Sequence, residues 1–250
     1  MNSLVSVIMP YYNKKNFFLE SINSVLNQTH SKLEIIIIYD DQNRNDLEYI
    51  KNCIKNDSRV KIIFNDKNKG AAYSRNKAIS IARGEYVAFL DCDDFWEINK
   101  IEVQLNFMLT NDYDFSHTTY RVINYNEKII GTIKAKKRLK YRELLKSCDI
   151  GLSSVILKRN LLSNMKFPDL KTKEDFVLWL SLAKKSVNLA GFDKPLMFWR
   201  STSNSLSSST LQKLRDAFKV YYVYEEKNFF YSIFCVIRLS FYALFKKINS

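Results

Sequence analysis

This 250-residue chain is short of the residue types on which several chemistries depend: five glycines, three prolines, four cysteines and two histidines. Cys53, Cys92, Cys148 and Cys235 stand far apart with no CxxC pair. That argues against a disulfide-dense secreted scaffold or a cysteine zinc module and fits a reducing compartment. With only His30 and His117 available, neither a histidine-rich metal site nor a triad built on an imidazole base is expected. Acid-base chemistry then falls to carboxylates. No stretch reaches the roughly 18 to 20 uninterrupted apolar residues of a spanning helix.

What is present is a folded composition, 46% hydrophobic and 26% charged, long enough for one large domain or two modest ones. The formal charge of +13, from 39 Lys plus Arg against 26 Asp plus Glu, implies attraction to something anionic: nucleic acid, lipid headgroups or phosphorylated small molecules. The opening MNSLVSVIMPYYN lacks a basic n-region and meets Pro10 after a short apolar run. It reads as a first strand instead of a signal peptide, so a cytoplasmic protein is expected.

Apolar, β-branched runs at Leu4 to Met9, Leu33 to Tyr39, Val60 to Phe64 and Tyr86 to Leu90 alternate with segments of helical spacing. Crossovers of this length imply parallel strands. Ile35 to Ile38, with no polar alternation, predicts a central strand covered on both faces. The fold class is α/β, a doubly wound unit over the first half. Beyond Asp94 the rhythm predicts a helix over Ile98 to Leu109, a hairpin of Thr118 to Ile123 with Lys128 to Ile133, a helix over Tyr141 to Ser147, and a strand over Ser153 to Lys158. A helix over Glu174 to Lys185 and a strand over Leu196 to Arg200 follow. The basic stretch KAKKRLKYR, residues 134–142, is either a solvated face or a binder of phosphate or lipid.

Four constellations carry chemistry. In YVAFLDCDD a buried-looking strand runs into Asp91, Asp93 and Asp94, at the edge where open α/β sheets bind ligands. Asp91 and Asp93 are two apart and share a side on extended backbone. Converging carboxylates repel unless a cation lies between them, and Mg2+ or Mn2+ suits such oxygens. Asp94 is also explained as a helix cap. The second constellation, Met9-Pro10-Tyr11-Tyr12-Asn13, and the third, Tyr39-Asp40-Asp41-Gln42-Asn43, end two further strands at the same edge. Aromatic faces there could hold a base or simply pack. A carboxylate could accept from a pyrimidine N–H or a ribose hydroxyl, or the segment could be a turn leading to a cap at Asn45 or Asp46. The fourth is Lys173-Glu174-Asp175-Phe176 opening an apolar helix, where carboxylates are favoured by the helix dipole.

SVIMPYYN, EIIIIYDDQNRND, NKGAAYSRNKAI and YVAFLDCDD, in this order and spacing, resemble the family 2 glycosyltransferases over roughly residues 3–210. The resemblance implies a GT-A fold: a Rossmann-like nucleotide-sugar-binding half with a mostly parallel central sheet (1–97) and an acceptor-binding half (98–210), followed by a helical, aromatic and basic tail (211–250). It implies that Asp91 and Asp93 form a DxD motif holding a divalent cation. Pro10, Tyr12, Asp40 or Asp41, and Arg75 would line the nucleotide, and Asp175 would be the catalytic base of an ED motif. Glu174 and Ser153, the latter in the segment GLSSVI that would floor the acceptor site, would contact acceptor or phosphate. In FWRSTSNS, which is similar to a pattern that usually reads Tyr-Arg-x-His, Arg200 would contact phosphate and Thr202 stands where the histidine would be. Gln42-Asn43 replaces the common Gly-Ser. A processive synthase would bring several spanning helices and a QxxRW motif, absent here.

The tail FFYSIFCVIRLSFYALFKKI, Phe229 to Ile248, holds one charge, Arg238, between Phe229 and Phe245, and is bracketed by Lys227, Lys246 and Lys247. It suits the bilayer interface or docking on the core or a partner subunit. The resulting expectation is a metal-dependent, inverting transfer of one sugar from a nucleotide diphosphate sugar, uridine-linked, to a hydroxyl of a lipid-linked saccharide. Such an enzyme would sit peripherally on the inner face of the cytoplasmic membrane, with no nucleic-acid partner. Two alternatives stand beside it. A sugar-phosphate nucleotidyltransferase would be expected to carry a glycine-rich phosphate loop, and a basic nucleic-acid-binding module would leave the strand-end carboxylates unexplained.

Overall fold

The computed structural model describes residues 2–201 and 209–248, so the expectation at Thr202 lies outside the described residues. The first half alternates as expected: β1 (Val5–Tyr11), α1 (Lys15–Leu26), β2 (Leu33–Tyr39), α2 (Leu47–Ile54), β3 (Val60–Phe64), α3 (Ala71–Ile81) and β4 (Tyr86–Phe89). β5 (Phe95–Trp96), α4 (Lys100–Thr110), β6 (Phe115–Ile123), β7 (Ile129–Ile133), β8 (Arg138–Leu139), α5 (Tyr141–Leu144) and β9 (Val155–Lys158) follow. Then come α6 (Glu174–Lys184), β10 (Leu189–Arg200), α7 (Thr210–Lys219) and α8 (Phe229–Ile248), with a π-helical turn at Val220–Tyr224.

All strands join one sheet of order β3-β2-β1-β4-β9-β6-β10-β5, with β7 beside β6 and β8 beside β10. The β3-β2-β1-β4 portion is parallel, as is β10 with β6, while β9 is antiparallel to both its neighbours. β1 has β2 on one side and β4 on the other, so the chain reverses its direction of travel across the sheet at the β1/β4 seam. Such a switch point opens a crevice beyond the strands' carboxyl ends. β2 is buried throughout: Ile36 and Ile38 pack in one core layer, Ile35 and Ile37 in the other. The alternation of strand side chains thus feeds helices on both faces.

Several boundaries differ from the sequence reading. β10 is twelve residues long, starting at Leu189 instead of Leu196. Its first seven residues contain Gly191 and Pro195, which dilute a strand pattern, and register shifts against β6 flank Pro195 and accommodate its missing N–H. The strand expected from Ser153 begins at Val155, after a 3-10 turn at Leu152–Ser154, and the helix expected to Ser147 ends at Leu144. Asp94 caps no helix: Asn99 precedes α4.

Of the tail expectations, docking on the core is seen on one side of the helix, while its other side is exposed and apolar. α8 docks through Ser232, Cys235 and Leu239, which are buried, while Phe230, Phe234, Ile237 and Phe241 are exposed. No helix among the described residues is long and apolar enough to cross a membrane.

Candidate active site

The acidic turn after β4 lies at the carboxyl end of a strand beside the β1/β4 switch, where such sheets bind ligands. The Asp94 N–H bonds to the Asp91 carbonyl at 2.9 Å, folding the three carboxylates around one turn. Asp94 is buried, accepts from Ser153 Oγ at 2.6 Å and from the Arg200 N–H at 3.0 Å, and so ties the turn to the start of β9 and the end of β10. Its burial, with Asp93 and Asp91 adding repulsion, pushes its carboxyl well above the usual range. Asp91 and Asp93 remain partly exposed.

Each of these two is paired with a cation from another element. Asp93 Oδ2 lies 2.6 Å from Lys14 Nζ, at the entry to α1. Asp91 Oδ1 lies 2.6 Å from Arg75 Nη2 on α3, whose Nη1 reaches Glu174 Oε1 at the start of α6 at 2.5 Å. Arg75 is 3% exposed, and although burial opposes its charge, Asp91 and Glu174 hold its pKa above the ordinary value. This guanidinium therefore bridges the strand-end carboxylates to the helix-end pair. Glu174 is turned into the protein. Asp175 stays partly exposed with Oδ1 accepting from the Phe176 N–H at 2.7 Å, as expected for neighbours about 100 degrees apart on a helix. Burial raises the pKa of both, against the pull of Arg75.

The remaining expected residues divide into those facing the crevice and those holding it. Tyr12 is exposed beyond β1, whereas Tyr11 is core, stacked on Tyr39 and donating to Asp46 Oδ2 at 2.7 Å. Pro10 precedes Tyr11 as the one partly buried step of β1. Asp41 is partly exposed and accepts the Asn43 N–H at 3.0 Å. Asp40 is buried; its oxygens accept from the Lys69 and Gly70 N–H groups, both at 2.8 Å, and from Asn65 Nδ2 at 2.8 Å. It thus fixes the loop that starts α3 and carries Arg75, and Gly70 has φ +87, a conformation suited to glycine. Ser153 is buried beneath the acidic turn, accepting the Asp91 N–H at 3.2 Å. Arg200 is buried too: Nε donates to the Asp93 carbonyl at 3.2 Å, Nη2 pairs with Glu20, and the guanidinium lies 4.9 Å from the Phe17 ring. Ser153 and Arg200, expected at the acceptor or phosphate, are committed here to protein partners.

Sequence reasoning missed Lys14 and Glu20. The signal for Lys14 was its place in a basic pair just after the aromatic end of β1, with Asn13 at φ 48 turning the chain.

The donor set fits a divalent cation completed by substrate. Among the described residues no cluster of three or more His, Cys, Asp or Glu could enclose a metal. Asp91 and Asp93 can therefore offer at most a pair of carboxylates, which matches the preference of Mg2+ and Mn2+ for a few protein oxygens, water and phosphate. Asp91, Asp93 and Glu174 also outnumber the two cations, Lys14 and Arg75, that pair with them, so a further positive charge is favoured there.

The model of the family described as "Glycosyl transferase family 2" matches residues 6–166. Among curated relatives, UDP-Glc:alpha-D-GlcNAc-diphosphoundecaprenol beta-1,3-glucosyltransferase WfgD of Escherichia coli is 39% identical over 214 residues, 85% of this chain and 83% of that protein. The putative teichuronic acid biosynthesis glycosyltransferase TuaG of Bacillus subtilis (strain 168) is 33% identical over 246 residues, 98% of both chains. Residues 1–349 of S. aureus TarS, solved in complex with UDP-GlcNAc, superpose with a TM-score of 0.72 at 20% identity over 93% of this chain and 70% of that one. The mannosyltransferase PcManGT of Pyrobaculum calidifontis, in complex with GDP-Man and Mn2+, gives 0.70 at 14% identity over 91% and 66%. The family model spans more than half of the chain and the relatives align over most of it, so this protein belongs to the family 2 glycosyltransferases and has the GT-A fold.

Proposed function

We propose that this enzyme transfers a single hexosyl or N-acetylhexosaminyl unit, with inversion, from a UDP-linked donor to a hydroxyl of a lipid-linked saccharide in bacterial surface polysaccharide synthesis. The observation that carries the reading is the Arg75 bridge, which sets the Asp91 end of β4 and the Glu174-Asp175 start of α6 against one guanidinium. That link supports a reading in which a diphosphate site at Asp91 and a base at Asp175 adjoin one another. WfgD acts on UDP-Glc and a GlcNAc-diphosphoundecaprenol by its name, and TuaG is named for teichuronic acid. Both support a nucleotide-sugar donor and, for WfgD, a lipid-linked acceptor.

Residues 1–97 bind the donor and 98–210 the acceptor in this reading. Pro10, Tyr12 and Asp41 line the base and ribose from the exposed strand ends, while Asp40 and Arg75 act as positioning residues for that edge. Asp175, with a carboxylate reaching the crevice, accepts the proton of the acceptor hydroxyl as that oxygen attacks the anomeric carbon. Glu174 fixes Arg75, and Ser153 and Arg200 fix the acidic turn. A divalent ion, Mg2+ or Mn2+, held at Asp91 and Asp93 supplies Lewis acidity toward the departing diphosphate. In this reading the tail binds the inner face of the cytoplasmic membrane peripherally, which its exposed aromatic side chains support.

The test is a panel of nucleotide sugars with a lipid-linked GlcNAc-diphosphate acceptor, with Mn2+ or with EDTA. Transfer from a UDP-sugar only with metal is the expected result. Transfer unaffected by EDTA removes the metal from the reading, and transfer only from other nucleotides removes the uridine.

A further inference from the structure

Two surface features adjoin one another and have no task in sugar transfer. The first is the outer side of α8. Its inner side is held by buried Ser232, Cys235 and Leu239, and Arg238 Nη2 donates to the Leu145 carbonyl at 2.9 Å, the same carbonyl that Tyr221 Oη reaches at 2.9 Å. On the opposite side Phe230, Phe234, Ile237 and Phe241 are 81%, 54%, 50% and 57% exposed. Steps of four, three and four residues put them on one stripe. Arg238, the single charge from Phe229 to Tyr242, is spent on Leu145 and on the Phe234 ring at 5.5 Å. The solvent side of this helix is therefore apolar where an ordinary surface helix would carry charge.

The second feature is the segment 134–146, which runs through β8 and α5 into the Leu145 that Arg238 grips. Lys134, Lys137, Arg138, Lys140, Arg142 and Lys146 are exposed, Glu143 is the one acid in the segment, and Lys136 pairs with Asp149 at 3.0 Å. The basic segment and the apolar helix are thus joined at Leu145, whose carbonyl accepts from Arg238 of α8.

We propose that these two features form one docking surface for an anionic phospholipid bilayer, with the α8 stripe at the acyl boundary and segment 134–146 on the headgroup phosphates. The proposal rests on the membrane contact in the reading above and extends it from the tail to a basic segment far from it in sequence. Charge complementarity selects the occupant. A second copy would bring the same basic segment and the same +13 against itself, whereas an anionic surface neutralises both. Attachment is lateral, because helix α8 is too polar or too short to span.

The test is sedimentation of the full chain with vesicles of phosphatidylcholine, pure or with about one third phosphatidylglycerol. The wild type should bind the mixed vesicles and be released by about 0.5 M KCl to the extent that charge holds it. A triple variant Lys134→Glu, Lys137→Glu and Arg142→Glu should lose about tenfold or more in partitioning to mixed vesicles and nothing on pure phosphatidylcholine. A variant Phe230→Ser, Phe234→Ser and Ile237→Ser should lose on both. Wild type that ignores the mixed vesicles, or a charge variant that binds them as wild type does, overturns the proposal. So does a wild-type dimer in solution that the α8 variant converts to monomer, since a second copy would then cover the stripe. Wild-type salt release decides the matter even where a variant folds poorly. Metal-dependent UDP binding, measured without vesicles, should be equal in all three proteins. Lost vesicle binding with intact UDP binding removes only the docking surface, whereas wild type that fails to bind UDP removes the donor reading.

Discussion

Changing Asp175 to Asn keeps size and polarity and removes one proton acceptor from the crevice. Because the side chain's one hydrogen bond in the described structure is to the adjacent Phe176 N–H, the melting temperature should change by only a few degrees. Turnover should fall by about 10² to 10⁴, the ordinary contribution of a placed general base. Steady-state turnover beside UDP titration checks this, and near-normal turnover would exclude Asp175 as the base. Arg75 differs, because its two Nη atoms serve separate carboxylates. A lysine there keeps the charge but presents a point ammonium in place of a planar fork, so Arg75→Lys should lose at least tenfold in turnover. Arg75→Met, which leaves Glu174 buried and unpaired, should cost about 3 kcal/mol of stability, measurable by denaturant unfolding. The placement of Asp91 and Asp93 at the sheet's edge was legible in sequence because both follow an apolar strand directly. The guanidinium between Asp91 and Glu174 was not, because it joins residues 99 apart from α3 to α6, and nothing local in Asn68 to Asn76 announces which carboxylates it meets.

Elements are joined by similar long-range polar contacts. Glu34, on buried β2, accepts from Ser6 Oγ of β1 at 2.5 Å and from the Arg83 and Gly84 N–H groups at 2.6 and 3.1 Å. It thereby fastens the α3–β4 turn beneath two strands. Burial raises its pKa, but these hydrogen bonds outweigh burial and leave it lowered. A lowered folded-state pKa means that the stabilisation is present above the unfolded value of about 4.3 and is lost as pH falls through the folded one. Unfolding of wild type and Glu34→Gln should therefore differ most at neutral pH and converge in acid. A constant difference across that range would assign the effect to geometry alone. Gly84 in the same turn has no room for a side chain, since an added Cβ would lie 2.6 Å from the Ser6 nitrogen. The four parallel strands and their helices could be read from sequence because their apolar runs are unbroken and their crossovers uniform. β10 was half hidden because Gly191 and Pro195 interrupt it, and its pairing with β6 tolerates a slip in register that no local pattern encodes. β5 and β8, two residues each, are too short to show a period.

For the whole molecule, the sheet order decides where charge accumulates. Carboxyl ends of β1, β2 and β4 meet at the β1/β4 switch, gathering acidic side chains at the crevice of a chain whose net charge is +13. The basic surplus therefore lies away from this acidic edge, on surfaces such as segment 134–146. At this edge Lys14 pairs with Asp93 while Arg75 is shared between Asp91 and Glu174, so a nucleoside diphosphate arriving alone meets carboxylates whose charge is only partly offset. A divalent ion relieves that repulsion, and binding of ion and UDP should be mutually favourable. Ligands that bind only the folded state stabilise it by about 2.7 kcal/mol at a hundredfold excess over Kd, roughly 5 to 10 °C for a chain of this size. Thermal unfolding should then show a rise of that order with UDP and Mn2+ together and much less with either alone. Asp93→Asn should remove the combined effect while leaving the unliganded melting temperature within a few degrees, since Asp93 is partly exposed and its Lys14 partner can turn to solvent. A full UDP shift without metal would show that Lys14 and Arg75 carry the diphosphate by themselves, and the two carboxylates would then serve only to position those cations.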